Sequence, residues 1–127
     1  MKQGAVCRNA IVLDDNASDR EYVCTILEIM GFKAYPADTG KKALQIVELV
    51  TPHLMVTDIV MPVCEGIETI VAARKMGVRC PIVVMSGANR KDVYLAIVKS
   101  LGVQGIIRKP FSRDELQTLV TRLKGIN

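Results

Sequence analysis

Short runs suited to buried strands begin at Ala10, Phe32, Leu54, Pro81 and Gly105, at intervals of 22 to 27 residues. An amphipathic stretch follows each. This alternation constrains the fold more than any other feature. A run such as Pro81-Ile82-Val83-Val84-Met85 has no polar face, so both of its faces must be covered. The intervening segments each carry one apolar stripe, as a covering helix needs. The chain is therefore expected to be α/β: five strands in a parallel sheet, helices on both faces, right-handed crossovers.

The elements follow in order. Ala10-Ile11-Val12-Leu13 runs into Asp14 and Asp15, and Asn16-Ala17 turns the chain. Ser18-Asp19-Arg20-Glu21 has capping-box spacing and should start the first helix, with Val23, Ile26, Leu27 and Met30 on one face. Gly31 stops it, and Phe32–Tyr35 is a weaker strand. Thr39-Gly40 opens a second helix, with Ala43, Ile46, Val47 and Val50 inward and Pro52 at its end. Leu54-Met55-Val56-Thr57 leads to Asp58, followed by Met61-Pro62. Gly66 opens a third helix, with Ile67, Ile70 and Val71 inward, ending near Gly77. The fourth strand enters Ser86-Gly87. A fourth helix spans Arg90–Leu101, with Val93, Ile97 and Leu101 on one side and Tyr94 and Val98 on another. Gly105–Arg108 enters Lys109-Pro110, and a second capping box, Ser112–Glu115, starts a last helix bearing Leu116, Leu119, Val120 and Leu123.

Composition narrows the function. A chain of 127 residues, half apolar, fits one domain with a proper core. Its apolar runs stop at four or five residues, far below the ~20 needed to span a bilayer. The start lacks the apolar stretch of a secretion signal, so a soluble cytoplasmic protein with no membrane partner is expected. The net charge of +4 is spread along the chain, and three Tyr, two Phe and no Trp offer little for base stacking. Nucleic-acid binding is not expected. Cys7, Cys24, Cys64 and Cys80 form no CxxC unit, which points to free thiols rather than zinc or redox chemistry.

Ligands of open α/β sheets bind beyond the carboxyl ends of the strands. Here strand one delivers Asp14 and Asp15, strand three Asp58, strand four Ser86 with Gly87, and strand five Lys109. Strand two delivers only Ala37 and Asp38. Three converging carboxylates repel one another unless a cation joins them. Mg2+, or Mn2+ in its place, suits two or three such oxygens and completes its shell with water and phosphate. Lys109 adds a point charge for an anion, and Ser86 a hydroxyl donor. All of this favours negative oxygens beside Asp58. It is the arrangement of phosphoryl transfer, with Asp58 able to act as in-line nucleophile. Taken singly, each residue has a plainer explanation: turn acids, helix-start acids, a loop serine, a surface lysine. Their joint occurrence at the strand ends favours a site.

Asp14-Asp15, Asp58, Met61-Pro62, Gly66, Ser86 and Lys109-Pro110 together resemble the receiver domain of two-component response regulators, the CheY-like fold. The resemblance runs from about Asn9 to Lys124. It implies a flavodoxin-like, doubly wound (βα)5 sandwich with strand order 2-1-3-4-5, and a single receiver domain over residues 1–127. It implies a signalling domain that catalyses only its own phosphorylation and dephosphorylation. Asp58 would accept a phosphoryl group from a histidine kinase or phosphotransfer protein. Asp15 and Asp58 would bind Mg2+ directly, with the carbonyl of Val60, and Asp14 mostly through water. Lys109 would pair with phosphoryl oxygens, Ser86 would turn inward to hydrogen-bond the phosphoryl group, and the bond before Pro110 would be cis. A downstream protein would meet the face of the fourth helix, fifth strand and fifth helix, with Tyr94 and Val98 contributing. The chain would be a monomer or weak homodimer.

Three positions depart from the family pattern. Ile106 stands where an aromatic ring often swings inward, so switching is expected to use backbone shifts of the fourth helix and fifth strand. Val60 and Ala88, beside the site, cannot position a hydrolytic water, so self-dephosphorylation is expected to be slow. Other readings stay open. A receiver trimmed from a longer regulator would look the same. A small aspartate-nucleophile phosphatase or phosphotransferase would want a second aspartate at position 60, which is Val. A flavodoxin-like FMN protein would want a Ser/Thr-rich loop after strand one, which is absent. His53 is expected to be a loop histidine rather than a phosphodonor.

Overall fold

The computed structural model describes residues 8–59, 65–87, 96 and 99–123. Its elements are β1 (Arg8–Leu13), α1 (Ala17–Ile29), β2 (Phe32–Ala37), α2 (Gly40–Leu49), β3 (Leu54–Asp58), α3 (Glu65–Lys75), β4 (Ile82–Ser86), β5 (Gly105–Arg108) and α4 (Arg113–Thr121). The helix expected over 90–101 lies largely outside the described residues, although Ala96, Lys99 and Ser100 are helical. Cys7, Val60, Met61, Pro62, Cys64, Ala88, Tyr94, Val98 and Lys124 also lie outside them.

The strands form one parallel sheet in the order β2-β1-β3-β4-β5, as expected. Side chains alternate across a strand, so each strand feeds two cores. Ala10, Val12, Leu54, Val56, Val83 and Met85 meet Val23, Ile26 and Leu27 of α1 and Leu116 and Val120 of α4. Their neighbours Ile11, Leu13, Met55, Ile82 and Val84 meet Ala43 of α2 and Ile70 and Ala73 of α3. Every residue of β3 and β4 is buried, which explains their unbroken apolar runs. Burying each large aliphatic side chain contributes about 1.5–3 kcal/mol. The strand ends are thus fixed relative to one another.

Several local expectations need correction. Helix α1 starts at Ala17, not inside Ser18–Glu21: Asn16 is the N-cap, and its side chain accepts from Asp19 N at 2.9 Å. Asn16 caps as well as Ser18 would, and Asp14 Oδ1 accepts from Asn16 N at 2.9 Å, fixing the turn one step earlier. Strand β2 continues through Pro36 to Ala37, because an edge strand tolerates a proline. The buried stripe of α3 is Gly66, Thr69, Ile70 and Ala73, with Ile67 and Val71 only half-buried. The N-cap Thr39 and the Ser112–Glu115 capping box are as expected.

Two glycines let elements close on the site. A Cβ at Gly66 would meet the carbonyl oxygen of Asp58 and stand 3.2 Å from Ile59 Cα, so only glycine lets α3 start against the end of β3. A Cβ at Gly40 would meet Thr69 Oγ1, and the Gly40 N–H donates to Glu65 Oε2 at 2.6 Å. A carboxylate from α3 thereby caps α2. At the opposite end, His53 Nδ1 accepts from Asn9 N at 3.0 Å, so His53 ties β3 to β1. Arg74 donates to the carbonyls of Val78, Cys80 and Gly102 and to Gln104 Oε1, binding the end of α3 to the start of β5.

Candidate functional site

Parallel pairing of Leu13 with Thr57 brings the next residues, Asp14 and Asp58, side by side at the sheet's carboxyl edge. Asp14 is fully buried and Asp58 is 2% exposed, while Asp15 faces solvent. One carboxylate oxygen from each of the three lies within 4.8 Å of the others. Strand β5 delivers Lys109 to the same place, and the Lys109–Pro110 bond is cis. The Lys109 N–H donates to Ser86 O at 2.7 Å, which pins the start of this loop to β4.

The Lys109 ammonium donates to Asp14 Oδ2 at 2.7 Å, Asp19 Oδ2 at 2.9 Å and Asp58 Oδ2 at 3.3 Å. Burial alone would favour the neutral amine, but hydrogen bonds to Asp14 and Asp19, then the charges of Asp58 and Asp14, more than offset it. The lysine pKa is raised and the group stays charged. Arg20 donates to the Asp14 carbonyl at 2.9 Å. Among the described residues, four carboxylates against these two cations leave a formal charge of −2 around the cluster. An all-oxygen donor set with this formal charge among the described residues fits a hard divalent cation and offers nothing to a soft one.

Of the residues singled out in the sequence, Asp14, Asp15 and Asp58 come together, and Lys109 contacts Asp14 and Asp58. Ser86 is placed by register: Met85 pairs with Asp58, and Ser86 is the next residue, ending β4 almost fully buried. Ile106 pairs with Val84 and packs half-buried on the α2 and α3 side of the sheet. Its aliphatic chain fills space there without a hydroxyl. Val60 lies outside the described residues.

Asp19 is the site residue that sequence reasoning missed. It read as part of a helix cap. The available signal was its spacing: four residues beyond Asp15, one turn along α1, on the turn nearest the strand ends. A cleft of about 430 Å3 opens beside it, lined by Asp19, Tyr22, Val23, Lys109, Pro110 and Phe111. The Tyr22 hydroxyl donates to Phe111 O at 3.0 Å across one wall. Thr57 Oγ1, immediately before Asp58, is buried and has no hydrogen-bond partner among the described residues.

A five-stranded 2-1-3-4-5 sheet with an acidic cluster and a lysine at its carboxyl edge defines a receiver fold. Residues 10–121 match the response regulator receiver domain, and the chain belongs to that family, a signalling domain of two-component systems. It is 27% identical over 112 residues to the regulatory protein AtoC of Escherichia coli, covering 88% of this chain and 24% of that protein. It is 31% identical over 116 residues to the CpxR homolog of Haemophilus influenzae, a transcriptional regulatory protein, covering 91% and 48%. The chain thus spans about half or less of the length of the curated relatives it matches. The chemotaxis protein CheY4 of Vibrio cholerae shares the fold, with a TM-score of 0.85 at 24% identity, over 93% of this chain and 99% of that one. No helix among the described residues is long and apolar enough to cross a membrane.

Proposed function

We propose that Asp58 is the phosphoacceptor of this receiver and that Asp14, Asp15 and Asp58, with the carbonyl of Val60, hold the Mg2+ it needs. The observation that carries the reading is the placement of Lys109. A charged ammonium stands 3.3 Å from Asp58 Oδ2 within a carboxylate cluster whose formal charge, among the described residues, stays negative. The donor is a phosphohistidine of a histidine kinase or phosphotransfer protein. An Asp58 oxygen attacks phosphorus in line, the O–P bond forms as the N–P bond breaks, and the imidazole leaves. Bound Mg2+ would neutralise charge on the transferring oxygens.

The chain's own groups do the rest. Burial of Asp14 and Asp58 keeps their oxygens fixed and poorly hydrated. Lys109 offers its ammonium to a phosphoryl oxygen, and Ser86 offers its hydroxyl once it turns inward. The cleft beside Lys109 admits the donor. Phosphorylation then favours one of two packings, read by a downstream protein on the face of the helix expected over 90–101, β5 and α4. With Ile106 in β5, that change runs through backbone shifts rather than an aromatic swing. Val60 and Ala88 leave the hydrolytic water without a hydrogen-bonding guide, so the phosphoryl group is long-lived. The protein works in the cytoplasm, as a monomer or weak homodimer, alone or joined to an output domain. Incubation with a histidine kinase, ATP and Mg2+ tests the reading: wild type is labelled and Asp58→Asn is not. Equal labelling of the two would remove Asp58 as acceptor.

A further inference from the structure

We infer that Asp19 is a positioning residue that anchors Lys109 while the other acids serve the cation and the phosphoryl group. This rests on the reading of Asp58 as phosphoacceptor. An ammonium has three donors, and Asp14, Asp19 and Asp58 take all three. Asp14 and Asp58 also belong to the three-acid cluster; Asp19 does not. When a cation and a phosphoryl group engage that cluster, Asp19 is the carboxylate still committed to the lysine. Its contact, 2.9 Å, is also shorter than the 3.3 Å contact to Asp58.

Asp19 is built to be a fixed post. Its N–H is held by Asn16 Oδ1 at 2.9 Å in the first turn of α1. That helix is locked to the sheet through Val23, Ile26 and Leu27. Lys109, by contrast, hangs on a flexible four-carbon stem. A tether to a rigid helix limits where the ammonium can go and keeps it within reach of Asp58. The Asp19 carboxylate is 47% exposed, so the tether does not trap the lysine: water can replace a bond that moves to a phosphoryl oxygen. An acid in a first helical turn also favours the helix dipole. That structural role would be met without any contact to Lys109.

The test follows labelling by acetyl phosphate at saturating Mg2+ in wild type, Asp19→Asn, Asp19→Glu, Lys109→Met and the Asp19→Asn/Lys109→Met double variant. Wild type must label and Asp58→Asn must not; otherwise the phosphoacceptor reading itself fails. Given that, Asp19→Asn slows labelling about two- to threefold, as loss of a screened, half-exposed charged contact does. Asp19→Glu recovers part of the rate, and Asp19→Asn has no further effect once Lys109 is Met. A second readout is independent of turnover: proton exchange of the Lys109 ammonium, by NMR without Mg2+, speeds up several-fold in Asp19→Asn. A wild-type rate in Asp19→Asn, an equal slowing in the Lys109→Met background, or unchanged ammonium exchange would each overturn the inference.

Discussion

Replacing Lys109 by Met removes the ammonium and keeps most of the side-chain stem, so the change reports charge rather than packing. The ammonium makes contacts of 2.7, 2.9 and 3.3 Å to three carboxylates. Hydrogen bonds to charged groups contribute about 1.5–3 kcal/mol each. The half-exposed Asp19 bond is screened and adds only about 0.5 kcal/mol. The lysine's own desolvation works against the remaining two. Breaking a fully buried pair costs about 3–5 kcal/mol, and a lysine side chain 18% exposed lowers that to about 2–3 kcal/mol. Urea unfolding in chelator measures it. With a slope of about 1.5–2 kcal/mol per M, the midpoint falls by about 1–2 M. At one fixed Mg2+ concentration the cation should then stabilise Lys109→Met more than wild type, because it replaces a missing charge and binds the variant more tightly. An unchanged midpoint in chelator, or an equal gain from Mg2+ in both proteins, would show that the Lys109 ammonium does not hold the carboxylates together.

Other outcomes follow from particular contacts. Gly66→Ala forces a Cβ against the Asp58 carbonyl and the Ile59 backbone, so thermal unfolding should show a loss of about 1–3 kcal/mol; an unchanged midpoint would mean that α3 moves freely. Thr57→Val replaces a buried hydroxyl with no partner among the described residues by a methyl of similar shape, and should stabilise by about 1 kcal/mol in urea. Burial pushes the Cys24 and Cys80 thiols up from 9.0 to about 11. Both should react with iodoacetamide at pH 8 about a hundredfold more slowly in the folded than in the unfolded chain. Because their folded pKa is raised, the stability they contribute is fully present below pH 9.0 and is lost as pH rises through about 11. Stability that stays flat between pH 8 and 11 would contradict that assignment.

The sheet could be anticipated because β3 and β4 are buried on both faces, and such strands leave an unbroken apolar run. The acid cluster could be anticipated because each acid ends such a run. Asp19 was hidden because its meaning depends on Lys109, 90 residues further along the chain. The start of α1 was misplaced because two capping residues stand close together and only the contacts of Asp14 and Asp19 with Asn16 choose between them. His53 and Arg74 were illegible for the same reason: their partners, Asn9 and Gln104, lie 44 and 30 residues away. Local pattern carries burial and period. It does not carry which polar groups find each other once the sheet is built.

Asp58 is the residue proposed to carry the phosphoryl group. Acetyl phosphate and Mg2+, followed by peptide mass spectrometry after borohydride trapping of acyl phosphates, test it most directly. One phosphoryl group per chain is expected, on the peptide carrying Asp58, and none in Asp58→Asn or without Mg2+. Label on another residue, or label of the same extent in Asp58→Asn, would contradict it.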